Sequence, residues 1–210
     1  MLNRKWMLGM FALVTTTTFG SVAIAEPFSV VPNTSRVSFT SDAPFETIVG
    51  TTSNVNGTLD FNLKDLNAKS TATVMVDIAS VKTGVDLRDE HMRSDQWLDT
   101  AKFPEAKFEL TKVEFPAKAA LEHNKKVSGK VFGKLTIKGT TKDVEAKATL
   151  GLFPENAKLA GFGLKGDVVR VKAELTITLR DFGVAVPEGI AGLKVAETVD
   201  IAMDLTAIRK

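Results

Sequence analysis

From residue 28 onward apolar and polar residues alternate with a period of two, in segment after segment. The clearest runs are Val171, Ala173, Leu175, Ile177, Leu179 and Val199, Ile201, Met203, Leu205, Ala207. Such a pattern makes one face of a strand apolar and leaves little helix to cover that face. A sheet of this kind has two costs, unpaired edges and an uncovered oily side, and closing it into a barrel removes both. The alternation therefore predicts an all-β fold, an eight-stranded antiparallel barrel.

Short strands are expected at Phe28–Val31 and Arg36–Thr40, either side of a Pro32-Asn33 turn. The run Ile48–Leu63 contains Asn56-Gly57, read as a tight hairpin turn or, preferably, a bend within one strand. In Thr71–Ala79, Val74, Val76 and Ile78 share a face. Lys107–Phe115 slips phase, which predicts a bulge near Thr111-Lys112. Residues 116–126 read as a polar connection, Val127–Ile137 and Thr141–Phe153 as a hairpin turning at Gly139, and 154–167 as a Gly-rich loop. Eight strands enclose a space that is either filled by side chains or holds one small ligand. The small inward residues Ala146, Ala148, Ala173 and Ala207 point toward a cavity, with a tapered packed core as the alternative.

One stretch breaks the alternation. Between Lys82 and Phe108 a dense block of charge surrounds Trp97. Asp86 is a plausible N-cap, and Asp89 and Glu90 fall where carboxylates suit the positive end of a helix, so a short helix is expected over 87–93. Ser94 can cap a second turn over Asp95–Leu98, and Pro104 ends any helix. A helical insert near 86–98 in an otherwise β chain suggests a lid or plug over one end of the barrel.

Residues 1–25 read as a cleaved signal peptide: Asn3-Arg4-Lys5 is a basic start, Trp6–Val14 an apolar run, and Ala23-Ile24-Ala25 a small-residue cleavage site. The exported domain is then 26–210, periplasmic in expectation and long enough to bury about 70% of its unfolded surface. The chain carries 27 Lys and Arg against 25 Asp and Glu, and loss of Arg4 and Lys5 with the leader leaves 25 against 25. That balance argues against a nucleic-acid binder, which shows a clustered basic excess. With no Cys, disulfides, thiolate catalysis and Cys-ligated metals are excluded.

Three ordered stretches are similar to a known family. Thr83-Gly84, Arg88–Ser94, Trp97-Leu98-Asp99 and Lys102-Phe103-Pro104 through Phe108 form the first, and Gly133–Lys142, GKLTIKGTTK, the second. Arg180–Val184, RDFGV, followed by Glu197–Ile201, ETVDI, is the third. Together they resemble the YceI-like family, and the likeness spans nearly all of 26–210. The resemblance implies a lipocalin-like barrel that holds a polyisoprenoid chain in its lumen. It departs after Val37-Ser38-Phe39, where many members carry a basic residue and a His and this chain has Thr40–Pro44, TSDAP.

On that reading Phe39, Val76, Ile78, Trp97, Phe108, Phe132, Ile177 and Phe182 are candidates for the lining or its cap. Trp97 and Phe103, in the insert, could gate the mouth, and Arg88, His91 and Arg93 could meet a polar head group. A solvated helix face with Asp89 and Arg93 paired at i,i+4 is the alternative for these charges. The 13 Phe and absent Tyr suit a dry lumen. Catalysis is not expected: no GxSxG is present, and His91 and His123 lack metal-ligand spacing. No cofactor is expected beyond a bound isoprenoid lipid, with a fatty acid, an amide or a protein contact as other partners. Membrane contact is expected to be transient, and association into a homodimer stays open.

Overall fold

The computed structural model describes residues 27–209; the expected signal peptide lies outside the described residues. Ten strands form one antiparallel sheet. They are β1 (Phe28–Val30), β2 (Arg36–Ala43), β3 (Glu46–Thr52), β4 (Val55–Asp60), β5 (Thr71–Asp77), β6 (Glu105–Glu114), β7 (Lys126–Ile137), β8 (Thr140–Phe153), β9 (Asp167–Thr178) and β10 (Thr198–Arg209). Two short helices interrupt them, α1 (Asp86–Arg93) between β5 and β6 and α2 (Ala157–Gly161) between β8 and β9.

Two pairs of strands act as single broken strands, which reduces the ten segments to eight barrel positions. Both β1 and β2 lie along β10, through Ser29 opposite Ile208 and Phe39 opposite Ile201, with a 3₁₀ turn at Pro32–Thr34 between them. Likewise β3 lies on β2 and β4 on β1, separated by Ser53 and Asn54. The first strand pairs with the last, so the sheet closes into a barrel; β3 pairs along its length with β2 alone, and its other side is bridged at Thr51 and Lys82. The barrel expected from the alternation is the one observed.

Local expectations fare unevenly. The bulge is present, with the β6–β7 register shifting between Leu110 and Lys112. Asn56-Gly57 is not a hairpin: both lie inside β4, and the irregularity sits at Ser53-Asn54 instead. Gly57 is needed for a different reason, because a Cβ there would lie 2.4 Å from the Thr73 carbonyl oxygen on β5. The helix spans Asp86–Arg93, but Val85 takes the capping position and Asp86 is its first residue. Residues 95–98 are a hydrogen-bonded turn rather than a helix, with the Trp97 amide donating to the Ser94 carbonyl at 3.1 Å.

The barrel has one solid end and one hollow end. At the solid end Phe28, Val55, Leu59, Val169, Leu205 and Ala207 are buried, and the Phe28 ring stacks on Phe61 with centroids 5.5 Å apart. Two loops plug this end. Leu66 donates its amide to the Ala119 carbonyl at 2.9 Å and Leu121 to that of Leu63 at 2.7 Å, which buries Leu66, Ala119 and Leu121 together. The segment 116–126 is thus half plug, although most of its residues are polar. Ala146, Ala148, Ala173 and Ala207 are all buried, yet none faces the hollow end; Ala148 and Ala173 are paired across β8 and β9. These alanines let the wall pack tightly, the opposite of what their size suggested.

Candidate functional site

The hollow end is a cavity of about 780 Å³. Its walls come from inward positions of every strand from β2 onward except β4 and β8: Val37 and Phe39, Ile48, Val74 and Val76, Ala106 and Phe108, Leu135 and Ile137, Leu175 and Ile177, Ile201 and Met203. Phe182, in a 3₁₀ turn at Leu179–Phe182, is buried and stands among the lining, and that turn packs against β8.

Two glycines make the aromatic walls fit. A Cβ on Gly50 would lie 2.1 Å from the Phe39 ring, and one on Gly133 2.4 Å from the Phe108 ring. Each ring lies flat over a neighbouring strand where no side chain stands, so it lines the cavity without crossing it.

The buried polar groups of the wall are already partnered. Thr52 Oγ1 shares a hydrogen bond with Ser80 Oγ at 2.6 Å, and Ser41 Oγ accepts from the Ala196 amide at 2.9 Å. Among the described residues no buried side-chain nitrogen or oxygen lacks a partner. A wall of this kind favours hydrocarbon and offers a polar ligand little inside.

The insert spans the mouth and is fastened on two sides. Toward β3, Arg88 Nη1 donates to Glu46 Oε1 at 2.6 Å while its Nε donates to Thr83 Oγ1 at 2.9 Å. Thr51 and Lys82 exchange backbone hydrogen bonds at 2.9 and 3.0 Å. Toward the β7–β8 turn, Lys138 Nζ donates to the Asp95 carbonyl at 3.3 Å, and the Phe103 ring lies over Gly139. Gly139 has a φ of 74°, so the turn needs glycine for its backbone as well as for that ring.

Asp89 anchors the insert internally. Its side chain is 1% exposed, and its Oδ1 accepts from both the Thr83 amide at 2.9 Å and the Thr83 hydroxyl at 2.6 Å. Burial works against the charged carboxylate, but the two Thr83 hydrogen bonds, with Lys82 and Arg93 nearby, outweigh it and hold the group below the ordinary carboxylate range.

Nine of the twelve sequence-predicted site residues stand around the cavity: Phe39, Val76, Ile78, Arg88, His91, Trp97, Phe108, Ile177 and Phe182. Three do not. Phe132 points outward, because Val131, Gly133 and Leu135 hold the inward phase of β7, and Lys112 Nζ sits 5.3 Å above its ring. Phe103 braces Gly139 from outside the lumen. Arg93 lies off the lining and makes no close ion pair with Asp89, its effect there being long-range charge. The charged face expected to be solvated therefore hides one buried carboxylate.

Sequence reasoning also passed over the second side of the mouth. Val184, Pro187, Ile190 and Val195, from the loop between β9 and β10, complete the lining opposite the insert. That loop has no period to betray it. Leu135, Leu175 and Ile201 were legible from the alternation but not distinguished from core.

Comparison with known proteins adds a lineage to this geometry. The barrel is similar to BcnA of Burkholderia cenocepacia, with a TM-score of 0.67 and 23% identity over 85% of this chain and 99% of that one. It is also similar to a polyisoprenoid binding domain from Saccharophagus degradans implicated in plant cell wall breakdown, with a TM-score of 0.64 and 19% identity over 87% and 98%. At these identities the likeness speaks for the fold. In sequence, Protein YceI of Salmonella arizonae is 32% identical over 157 residues, 73% of this chain and 72% of the relative. A family model described as the YceI-like domain matches residues 28–207. With the eight-position barrel, the insert and these matches in agreement, the chain belongs to the YceI-like family.

Proposed function

We propose that this is an exported, periplasmic lipid-binding protein that holds a long apolar chain, a polyisoprenoid or isoprenoid quinone, in its lumen. The observation that carries the reading is the apolar cavity of about 780 Å³, plugged at one end and bridged at the other by a fastened insert. Each methylene moved from water into such a space contributes about 0.8 kcal/mol, so a chain of isoprene units needs no polar contact to be held. The similar Saccharophagus domain, described as polyisoprenoid binding, supports the same class of ligand.

In this reading Phe39, Val76, Ile78, Phe108, Ile177 and Phe182 hold the chain and Trp97 caps it. His91 lies at the mouth, and Arg88 is occupied by Glu46 and Thr83, so it fastens the insert. The role is carriage, storage or stress protection, without catalysis or a cofactor. Lipid extraction and mass spectrometry of the protein exported from its native host test the reading. A stoichiometric long-chain isoprenoid is expected, and folded protein that yields none overturns it. Trp97→Asp is expected to lower the recovered amount.

A further inference from the structure

Among the described residues four of the six large apolar side chains left in solvent surround the mouth, the others being Val49 on β3 and Phe162 after α2. Phe45 is 77% exposed at the β2–β3 turn and Leu87 61% exposed on α1, with Val85 and Leu193 about half exposed beside them. These residues come from three separate segments that touch: the Phe45 amide donates to the Leu193 carbonyl at 3.0 Å, and Arg88 bonds Glu46. Val85 and Leu87 also line the cavity, so the exposed apolar surface runs without interruption into the lumen.

The same three segments are acidic. Residues 42–47, 82–103 and 183–197 hold five Lys or Arg against nine Asp or Glu, and with Asp89 and Asp99 buried the surface keeps a slight acidic excess. These three segments carry no basic excess through which to bind anionic lipid head groups. From the apolar rim, its continuity with the lumen and its negative surround, we infer that the mouth docks on a lipid bilayer by inserting Phe45, Leu87 and Leu193 among uncharged or zwitterionic head groups. The inference rests on the cavity holding hydrocarbon. A long hydrocarbon crosses water at a cost of about 0.8 kcal/mol per methylene, and contact between the mouth and the leaflet avoids that crossing.

Flotation of the ligand-free protein with phosphatidylcholine vesicles tests the surface directly. Phe45→Asp combined with Leu193→Asp changes two exposed side chains that do not line the cavity, and an unchanged thermal melt shows that the variant folds. The vesicle-bound fraction is expected to partition roughly tenfold less in the variant, the scale of one large apolar side chain returned to water. Adding phosphatidylglycerol to the vesicles is expected to weaken binding at low salt, and high salt to restore it. No flotation, flotation equal in the variant, or flotation that requires phosphatidylglycerol overturns the inference. So does loss of flotation explained by a rim-dependent dimer that sediments without lipid. The outcome is separable from that of the lipid analysis: a protein that carries isoprenoid but never floats loses only the docking surface, and one that floats but carries no lipid loses only the carrier role.

Discussion

Filling the hollow end and filling the solid end should have opposite effects on the same barrel. Val76 lines the cavity with the small Ala106 opposite it on β6, whereas Ala173 is buried, faces Ala148 across β8 and β9 and lies off the cavity lining. Val76→Phe places a larger ring into a space of about 780 Å³. Its added apolar surface is buried, so ligand-free stability should stay level or rise by about 1 kcal/mol. Ala173→Leu puts its extra carbons into filled space and should lose about 1–3 kcal/mol. For a domain of this length each kcal/mol moves the melting temperature by about 2–4 °C, so calorimetry resolves the two variants easily. Ligand adds a second contrast. An isoprenoid present at about a hundred times its dissociation constant should stabilise the wild type by about 2.7 kcal/mol. It should stabilise Val76→Phe far less, since the ring occupies the path of the chain, while Ala173→Leu should keep most of the gain. Equal destabilisation of both variants, or full ligand stabilisation of Val76→Phe, would refute the division of the barrel into a filled and an empty half.

Three further outcomes follow from the insert and the wall. Asp89→Asn should cost about 1.5–3 kcal/mol of local stability, read as faster amide exchange over residues 83–103. The folded-state pKa of Asp89 is depressed, so its contribution is complete above the unfolded carboxylate value near 3.8 and disappears as pH falls through the lower folded value; wild type and Asp89→Asn should exchange alike in that acid range and differ above it. Gly139→Ala should destabilise by more than about 1 kcal/mol, because φ is 74° and the added carbon meets the Phe103 ring at 2.8 Å; Phe103→Ala in the same background should recover part of that loss in a thermal melt. Phe132→Ala should leave lipid retention unchanged while Phe108→Ala alters it, since only the second ring borders the lumen, and equal effects in a retention assay would contradict the assigned phase of β7.

The candidate site divides along the same physical line. Phe39, Val76, Ile78, Phe108 and Ile177 were readable because in-phase apolar residues of a strand must share a face. Phe132 was misplaced against its own strand's phase: Val131, Leu135 and Ile137 had already claimed the inward side. Asp89 was unreadable as a buried anchor, since its partner Thr83 lies in the loop before the helix and nothing in the local pattern says that the loop folds back on it. The alanines misled because residue size is ambiguous between lining a void and permitting close packing.

What the amino-acid order determined by itself was the barrel: alternation is a local property, and with few helix-forming segments the apolar face could be covered only by closure. Whether an inward side chain meets a neighbour or open space was decided by tertiary structure alone. That depends on height along the barrel axis, which is set by the β1–β10 closure, by the strand breaks at Pro32–Thr34 and Ser53-Asn54, and by two loops that meet at Leu66 and Leu121. The closure and the meeting of the loops join residues far apart in the chain, and a period of two carries no information about them or about where a strand breaks.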